Sequence, residues 1–345
     1  MKLRFIFLLG FFLLPPAWAQ TGTGAYEPAG QLEGSITIWG HGAYGKRIAF
    51  VEGLVDRWEA GFHIHHPRVS FNNRLHGTAS AIGALYTGTG DLALMGREIW
   101  PPEIAAFSEV RGYAPTGVEV MTGSFDVRNK GYALVVFTHK DNPIKGLSLT
   151  QLDAIYGVER RRGHKKVATW GDLGLDGEWG NAPVNLYGFP IARGFAVYFQ
   201  DRVMLNSHLW NPSLREFPDD PNSVSTKTDG ATRMLAALAN DKHGIAYAGL
   251  VYNHPLVKAL PLTETAEDHF VMPSEKTVAD RSYPLTRIIN MFVDKHPDEK
   301  LKPQLEAFLR FILSSEGQQI VARDGHGYLP LPADLANKEL EKLSD

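Results

Sequence analysis

The sequence predicts an α/β protein of two lobes, each built around a sheet with parallel strands. Three observations support this fold class. Segments typical of strands and of helices alternate between residues 35 and 111, an order in which right-handed crossovers produce a parallel sheet. A second alternating series of the same style begins near residue 129. The chain has 345 residues, 44% of them hydrophobic, which is enough for two units that each bury a core.

The N-terminus has the pattern of a secretory signal peptide. Lys2 and Arg4 precede a short apolar run at 5–14, and residues 17–19 (AWA) fit a small-x-small cleavage site. The apolar run is short for a membrane span, and no other stretch of the sequence is long enough for one. We therefore expect residues 1–19 to be removed as a signal peptide and the mature protein to be exported, not embedded in a membrane.

The composition excludes several kinds of protein. The chain contains no cysteine, so disulfides, thiolate metal sites and a lipid-bearing cysteine are excluded. The formal net charge is −3. The chain therefore lacks the bulk positive charge typical of proteins that bind nucleic acid or anionic membranes. An exported protein without a lipid anchor is expected in the periplasm, and a site for a charged ligand must be local.

The first unit begins with an alternating strand at 35–39 (SITIW), followed by a glycine-rich loop at 40–45. A helix with one apolar face comes next, and a second strand is predicted at 69–72. Thr78 and Ser80 precede an apolar run and indicate a helix start, where a hydroxyl accepts an amide proton of the first turn. The remaining predicted elements of this unit are a strand at 92–95 and a helix introduced by Pro101 and Pro102.

The second unit repeats this style. Residues 132–138 (YALVVFT) have the composition of a buried strand, and Ser148 is placed to cap a helix. A basic loop at 159–166 is interpreted as solvated. The remaining predicted elements are strands at 184–188 and 244–249, a helix carrying Phe195, Tyr198, Phe199 and Val203, and a helix opened by Thr228-Asp229-Gly230.

Beyond residue 250 the pattern returns to short elements. Apolar spacing over 288–293 predicts a helix, and a second helix is predicted over 305–313. Ser314 is placed to cap the segment that follows. The charged tail from Ala336 is expected to fray.

The loops after the strands of the first unit carry the candidate binding residues. In parallel sheets, ligands bind beyond the carboxyl ends of the strands, and a helix start with hydroxyls and unpaired amides suits an anion. The three loops at this edge, 40–46, 73–78 and 96–100, therefore predict an anion pocket. The candidate ligand-binding residues are His41, Tyr44, His76, Thr78, Ser80 and Arg97, together with Arg193 and Thr228 at two helix starts of the second unit.

Four stretches of the sequence are similar to sequence motifs of a known protein family. They are GIAYAGL at 244–250, SYPLTRIINMFV at 282–293, FLRFILSSEGQQIVARDGHGYLPLP at 308–332 and HGTASAIGALYTGTGDLALMGR at 76–97. In this order they resemble the phosphate-binding protein family, the periplasmic substrate-binding subunit of the bacterial phosphate ABC importer. The resemblance covers nearly all of the mature chain.

The resemblance implies a type II periplasmic binding protein, in which two α/β lobes joined by crossing strands close on a ligand. It implies a monomer without a cofactor that binds inorganic phosphate or a related oxyanion and works with an ABC permease. The expected organisation is a signal peptide at 1–19, an N-terminal tail at 20–34, lobe 1 from 31–127 plus 252–345, and lobe 2 from 128–251.

The sequence departs from the family pattern at the ligand loops. The first loop, usually rich in Ser and Thr, reads GHGAYG at 40–45, and Met95-Gly96 replaces the serine at the strand end. The second lobe has IARGF at 191–195 in place of a Ser-Gly-Thr motif. The usual acidic acceptor for the phosphate proton is missing from these loops. Histidine and arginine in place of hydroxyls favour a fully charged anion held by charge-assisted bonds.

Two alternatives follow from these departures. The first is a scaffold or sensor of the same fold with a degenerate site. The second is a metal-dependent hydrolase that uses His63, His65 and His66, although only Glu59 supplies a nearby carboxylate and a metal site needs three or four ligands in fixed geometry. The sequence contains no nucleophile-elbow motif, so the binding-protein interpretation, without enzymatic activity or a metal, is preferred.

Overall fold

The computed structural model describes residues 23–41, 49–128, 131–219, 229–265 and 268–343. The predicted signal peptide lies outside these ranges. The strands are β1 (Glu33–Gly40), β2 (Arg68–Arg74), β3 (Leu92–Met95), β4 (Thr116–Thr122), β5 (Val135–His139), β6 (Leu147–Ser148), β7 (Asn185–Gly188), β8 (Arg215–Glu216), β9 (Gly244–Ala248), β10 (Val257–Ala259), β11 (Leu262–Thr263) and β12 (Ile288–Val293). The helices are α1 (Ala49–His65), α2 (Ala81–Tyr86), α3 (Pro101–Arg111), α4 (Leu149–Tyr156), α5 (Gly194–Met204), α6 (Gly230–Leu238), α7 (Glu275–Ala279), α8 (Pro303–Leu313), α9 (Ser315–Asp324) and α10 (Ala333–Glu341).

Lobe 1 is built on a sheet with the strand order β2-β1-β3-β12-β4. β1 runs parallel to β2 and to β3, which confirms the parallel sheet predicted from the strand–helix alternation. β12 runs antiparallel to both β3 and β4, because the chain returns to this sheet from the other lobe. The sheet and helices α1, α8 and α9 enclose one apolar core, in which Trp58 is fully buried.

The helix predicted over 288–293 is wrong, because these residues form β12. β12 lies inside the sheet, between β3 and β4, and its last three residues are buried. A strand covered on both faces appears in sequence as a continuous apolar run, and periodicity cannot separate such a run from a buried helix.

Lobe 2 has its own sheet, with the strand order β10-β5-β9-β7-β8, and its own core. The sequence assigned residues 252–345 to lobe 1, and the structure differs for the first part of this range. β10 pairs with β5 of lobe 2, and Val278 and Leu285 pack in the lobe 2 core. The chain therefore rejoins lobe 1 only at Ile288, where β12 begins.

Two helix caps predicted from sequence are confirmed. The Ser148 hydroxyl accepts a hydrogen bond from the Gln151 amide at 3.1 Å, and the Ser314 hydroxyl accepts one from the Gly317 amide at 3.3 Å. The expectation that the tail frays from Ala336 is wrong within the described residues. Helix α10 covers most of that tail, and Glu339, 4% exposed, accepts a hydrogen bond from the Glu119 amide at 2.8 Å.

Part of the predicted N-terminal tail is docked on lobe 1. Thr23 forms a β-bridge with Ser314, and the ring of Tyr26 packs edge-on against Phe311 at 5.5 Å between centroids. The Tyr26 hydroxyl lies 2.8 Å from Nε2 of His66, a fully buried histidine whose Nδ1 has no hydrogen-bond partner among the described residues. The segment Thr23–Tyr26 thus closes one side of the lobe 1 core.

We expect the free energy of unfolding to fall as the pH decreases below about 6.5. Burial, with a smaller contribution from His65, lowers the pKa of His66 below its ordinary value of 6.5. Between that lowered pKa and 6.5, the unfolded chain binds a proton that the folded chain does not, so acid favours unfolding. Urea unfolding between pH 5 and 8 should show a weaker pH dependence in His66→Phe than in the wild type. His269→Phe, which changes an exposed histidine distant from His66 in sequence, is the control, and equal slopes in both variants would contradict the assignment.

Within the described ranges, no helix combines the length and apolar character that crossing a membrane requires.

Candidate functional site

The loops that follow β1 and β3 meet at the carboxyl edge of the lobe 1 sheet, as predicted. The His41 amide donates to the carbonyl of Leu94 at 2.8 Å, and the Gly77 amide donates to the carbonyl of Gly40 at 2.8 Å. Gly40 has φ 129°, and a Cβ there would lie 2.1 Å from the Leu94 carbonyl oxygen. A glycine is therefore required where the two strands end side by side.

His41 and Thr78 come together around Gly96. A Cβ on Gly96 would lie 2.3 Å from Nδ1 of His41, so the imidazole ring rests directly on the glycine backbone. The Thr78 hydroxyl accepts a hydrogen bond from the Gly96 amide at 3.2 Å. The sequence predicted that this hydroxyl would cap its own helix; instead it joins the helix start to the loop after β3. The three residues form one rim of the candidate site.

Ser80 and His76 flank this rim. The Ser80 hydroxyl donates to the Gly77 carbonyl at 2.8 Å, within its own turn. His76 is exposed, with its ring edge-on to Trp39 at 6.2 Å between centroids. Tyr44, the remaining candidate of the first loop, lies outside the described residues.

The guanidinium group of Arg97 forms its contacts within lobe 1. Both of its Nη atoms donate to the carboxylate of Glu103 at 2.8 Å, and its Cζ lies 3.7 Å from the ring centroid of Trp100. Glu103 stands in the first turn of α3, so the arginine neutralises this carboxylate and braces the helix start. This pairing argues against the predicted direct contact between Arg97 and an anion, and no sequence pattern indicated it.

Arg287 is a residue of this region that the sequence reasoning missed. Its side chain is 2% exposed, and its Nε and Nη2 atoms each lie 2.7 Å from a carboxylate oxygen of Glu98 in the loop after β3. Its Cζ lies 4.6 Å from the ring centroid of Tyr198 and 5.3 Å from that of Phe195, both on α5 of lobe 2. Arg287 therefore connects the lobe 1 rim with the start of α5.

Opposite electrostatic effects act on Arg287. Burial lowers the pKa of its guanidinium, but the charge and the hydrogen bonds of Glu98 more than offset that effect and raise the pKa above its ordinary value. The guanidinium of Arg287 thus stays charged. Arg287 immediately precedes β12. Because that segment was predicted to be a helix, the sequence did not indicate that Arg287 lies between the lobes.

The start of α5 forms the rim of lobe 2. Arg193 occupies the N-cap position in an extended conformation and is exposed. Its side chain has no hydrogen bond or ion pair with the part of the chain that the structure describes. The next two residues, Gly194 and Phe195, begin the helix, and the Phe195 ring stacks on Tyr132 at 4.4 Å. A cation and the amides of a helix start are thus presented together, as the sequence predicted for Arg193.

A second helix start of lobe 2 carries an ion pair. Asp229 caps α6 by accepting a hydrogen bond from the Thr232 amide at 2.8 Å, and it also pairs with Arg128 at 3.0 Å. The Cζ of Arg128 lies 4.3 Å from the ring centroid of Tyr252. The predicted candidate Thr228 lies outside the described residues, although its neighbour Asp229 confirms the helix start. Arg128 and Asp229 were not predicted as a pair, because 101 residues separate them.

The histidines of the metal alternative have other partners. His66 contacts the Tyr26 hydroxyl, and Nε2 of His63 lies 2.5 Å from the Val69 carbonyl oxygen. Among the described residues, no group of three or more His, Asp or Glu side chains is arranged to hold a metal ion. The described geometry gives no support to a hydrolytic metal centre at 63–66.

Comparison with known proteins identifies the family. Residues 49–316 match the model of the PBP superfamily domain. The chain is 33% identical over 319 residues to the phosphate-binding protein PstS of Pseudomonas aeruginosa, covering 92% of this chain and 90% of that protein. It is 23% identical to the PstS of Staphylococcus haemolyticus, covering 90% and 84%.

Solved structures support the same fold. PstS from Borrelia burgdorferi aligns with a TM-score of 0.56 at 15% identity, covering 87% of this chain and 99% of that one. An ABC-type phosphate transport receptor from Vibrio cholerae aligns with a TM-score of 0.51 at 16% identity, covering 85% and 99%. Both share the two-lobed α/β architecture described above. The chain therefore belongs to the PBP superfamily and, within it, to the family of the phosphate-binding protein PstS.

Proposed function

We propose that this protein captures inorganic phosphate between its two lobes and delivers it to an ABC-type importer. One observation carries the proposal. The buried Arg287–Glu98 pair holds the loop after β3 beside the start of α5. This contact supports the proposal that the rim formed by His41, Thr78 and Gly96 and the rim that starts at Arg193 face one cleft. The relatives named as phosphate-binding proteins supply the identity of the anion.

The chemistry of the two rims suits a dianion. Arg193 offers a planar, permanently charged donor group, and the helix start behind it adds backbone amides with the positive end of the helix dipole. His41 and Thr78 add an imidazole and a hydroxyl from the opposite rim. The nearby carboxylates of Glu98 and Asp229 are paired with Arg287 and Arg128, so their negative charges are compensated and repel a dianion less. We therefore propose that the ligand is bound as a dianion.

The biological setting follows from the sequence. The signal-peptide pattern at 1–19 supports export and a periplasmic location. The relatives are named as binding proteins, and we propose that this protein likewise acts as a receptor without enzymatic activity. Its partners are then phosphate and the permease of an ABC importer.

The test is calorimetric titration and thermal unfolding of the mature protein with phosphate, arsenate and sulfate at fixed ionic strength. Phosphate at about a hundred times its dissociation constant should add about 2.7 kcal/mol to the free energy of unfolding. Arg193→Ala should weaken phosphate binding at least tenfold, which corresponds to about 1.4 kcal/mol. Arg323→Ala, which removes an exposed arginine of lobe 1, is the matched control and should bind as the wild type does.

Three outcomes would overturn parts of this proposal. Unchanged affinity in Arg193→Ala would remove that residue from the site. The absence of any stabilisation by these oxyanions would favour the scaffold or sensor with a degenerate site. Stronger binding of sulfate than of phosphate would retain the cleft but change its ligand.

A further inference from the structure

Lobe 2 contains a cavity of about 680 Å3 that lies outside the cleft. Of strand β7, only the residues up to Tyr187 line the cavity. No residue of α5, the helix at the cleft, lines it. On one side of β7, the two-residue strand β8 pairs with Tyr187 and Gly188. On the other side, just before β7, the Val184 amide donates a hydrogen bond to the Ala168 carbonyl at 3.0 Å. The cavity occupies the space between these two neighbours of β7. Small-molecule sites typically have volumes of about 300–1,000 Å3.

The cavity is positively charged. Arg160, Lys166 and Arg215 line it, and the described residues of its wall include neither Asp nor Glu. In the same basic loop, Arg161 pairs with Glu159 at 2.9 Å. None of the three cations that line the cavity forms an ion pair within the described part of the chain. Part of the loop that was interpreted as solvated therefore carries positive charge to a concave surface, where Asp153 and Asp172 act on Arg160 and Lys166 only through space.

Aromatic rings hold the charged group of Arg215 at the wall, and a tight turn determines the backbone conformation of Arg160. Arg160 has φ 52°, and its carbonyl accepts a hydrogen bond from the Gly163 amide at 2.8 Å, which closes a tight turn. The Cζ of Arg215 lies 4.9 Å from the ring centroid of Phe217 and 5.9 Å from that of Tyr187. A guanidinium held against aromatic faces loses less freedom when it binds an anion.

The remainder of the wall is apolar or carries fixed amides. The apolar surface comes mainly from Val158, Pro183 and Pro212, which are exposed, because Val167 and Leu186 are only 2% and 3% exposed. Nδ2 of Asn185 donates to Asp241 at 2.9 Å, and Nδ2 of Asn211 donates to the Ile155 carbonyl at 2.9 Å. Both amides are thus oriented before a ligand arrives. A wall of this kind suits a ligand with an apolar body and a charged group, rather than a bare inorganic ion.

We propose that this cavity is a second binding site, specific for an organic phosphate monoester. The phosphate group is held by Arg160, Lys166 and Arg215, because three cations without a carboxylate favour a dianion. The apolar body of the ester packs on Val158, Pro183 and Pro212, which are exposed apolar residues of the wall. The site is separate from the cleft, so it does not depend on the function proposed there.

The test uses 1-naphthyl phosphate, titrated calorimetrically into the mature protein at pH 7.5 with a saturating concentration of inorganic phosphate to occupy the cleft. We expect binding of one equivalent under these conditions. Lys166→Ala and Arg215→Ala should each weaken it about tenfold, as expected for the loss of one charge-assisted bond. Uncharged 1-naphthol should bind at least tenfold more weakly than the ester.

A cleft variant and thermal unfolding serve as the controls. Arg193→Ala should leave the binding of 1-naphthyl phosphate unchanged, and the two cavity variants should retain the phosphate affinity and the unfolding temperature of the wild type. The proposal is overturned if the ester does not bind, if inorganic phosphate displaces it, or if its affinity falls in Arg193→Ala but not in the cavity variants. These results separate a failure of the cavity from a failure of the cleft, because each set of variants addresses one site.

Discussion

Replacing Glu98 with alanine should lower the free energy of unfolding by about 3–5 kcal/mol. Arg287 is 2% exposed and its charge is compensated by the Glu98 carboxylate. Removal of one partner of a buried ion pair leaves a desolvated charge without compensation, which is the main source of the large effect. Because Arg287 also contacts Phe195 and Tyr198 of α5, we expect the same variant to bind phosphate more weakly than the wild type.

Urea unfolding followed by circular dichroism gives the stability, and Glu306→Ala is the matched control. The Nε of Arg310 lies 2.7 Å from an oxygen of Glu306, the same distance as between Arg287 and Glu98, but this pair is 36% and 30% exposed. Solvent-exposed pairs contribute about 0–1 kcal/mol. If both variants lose the same amount of stability, burial of the Arg287–Glu98 pair is not what makes it important.

Replacing Trp58 with alanine should also cost about 3–5 kcal/mol, the range typical of large-to-small substitutions in a core. The indole is fully buried in lobe 1, and its Nε1 donates to the Gly317 carbonyl at 2.9 Å, joining α1 to α9. The alanine variant loses the apolar contact, creates a cavity and leaves the Gly317 carbonyl without its partner. The result is expected in the stability of lobe 1 and says nothing about ligand specificity.

The size of this effect is measured by the shift of the urea midpoint at constant slope. Trp58→Phe keeps most of the ring but loses the hydrogen bond, so it should lose about 1–2 kcal/mol. A loss of less than about 1 kcal/mol in Trp58→Ala would show that the site collapses around the smaller side chain or that the indole is not buried in solution.

Local features of the fold could be predicted from the sequence because each depends on neighbouring residues. Ser148 and Ser314 cap helices through amides three residues away, a relation that is visible in the printed chain. The strand–helix order in the first hundred residues likewise determined the parallel pairing of β1 with β2 and β3. Residues 288–293 could not be assigned in this way, because their apolar run results from burial between two distant strands.

The convergence of the loops at the sheet edge could be predicted from the sequence, but the pairing of the charged groups there could not. The convergence of His41 and Thr78 follows from the rule for carboxyl edges of parallel sheets. The partner of each charged group does not follow from any local rule. Arg97 turns to Glu103 within its own segment, whereas Glu98, the next residue, pairs with Arg287 from 189 positions away. Only the fold decides which of these cations faces a ligand and which one neutralises a carboxylate.

The arrangement of the lobes also determines the order in which they can be completed during synthesis. Lobe 1 needs both ends of the chain, since Thr23 bridges to Ser314, β12 lies inside the first sheet, and α10 packs beside β4. Lobe 2 is one continuous insertion that is complete once the chain has passed Leu285. During synthesis, lobe 2 can therefore fold first. The lobe 1 segments that precede it cannot complete their sheet and core until about the last sixty residues have been made. The cleft between the lobes is consequently the last part of the protein to form.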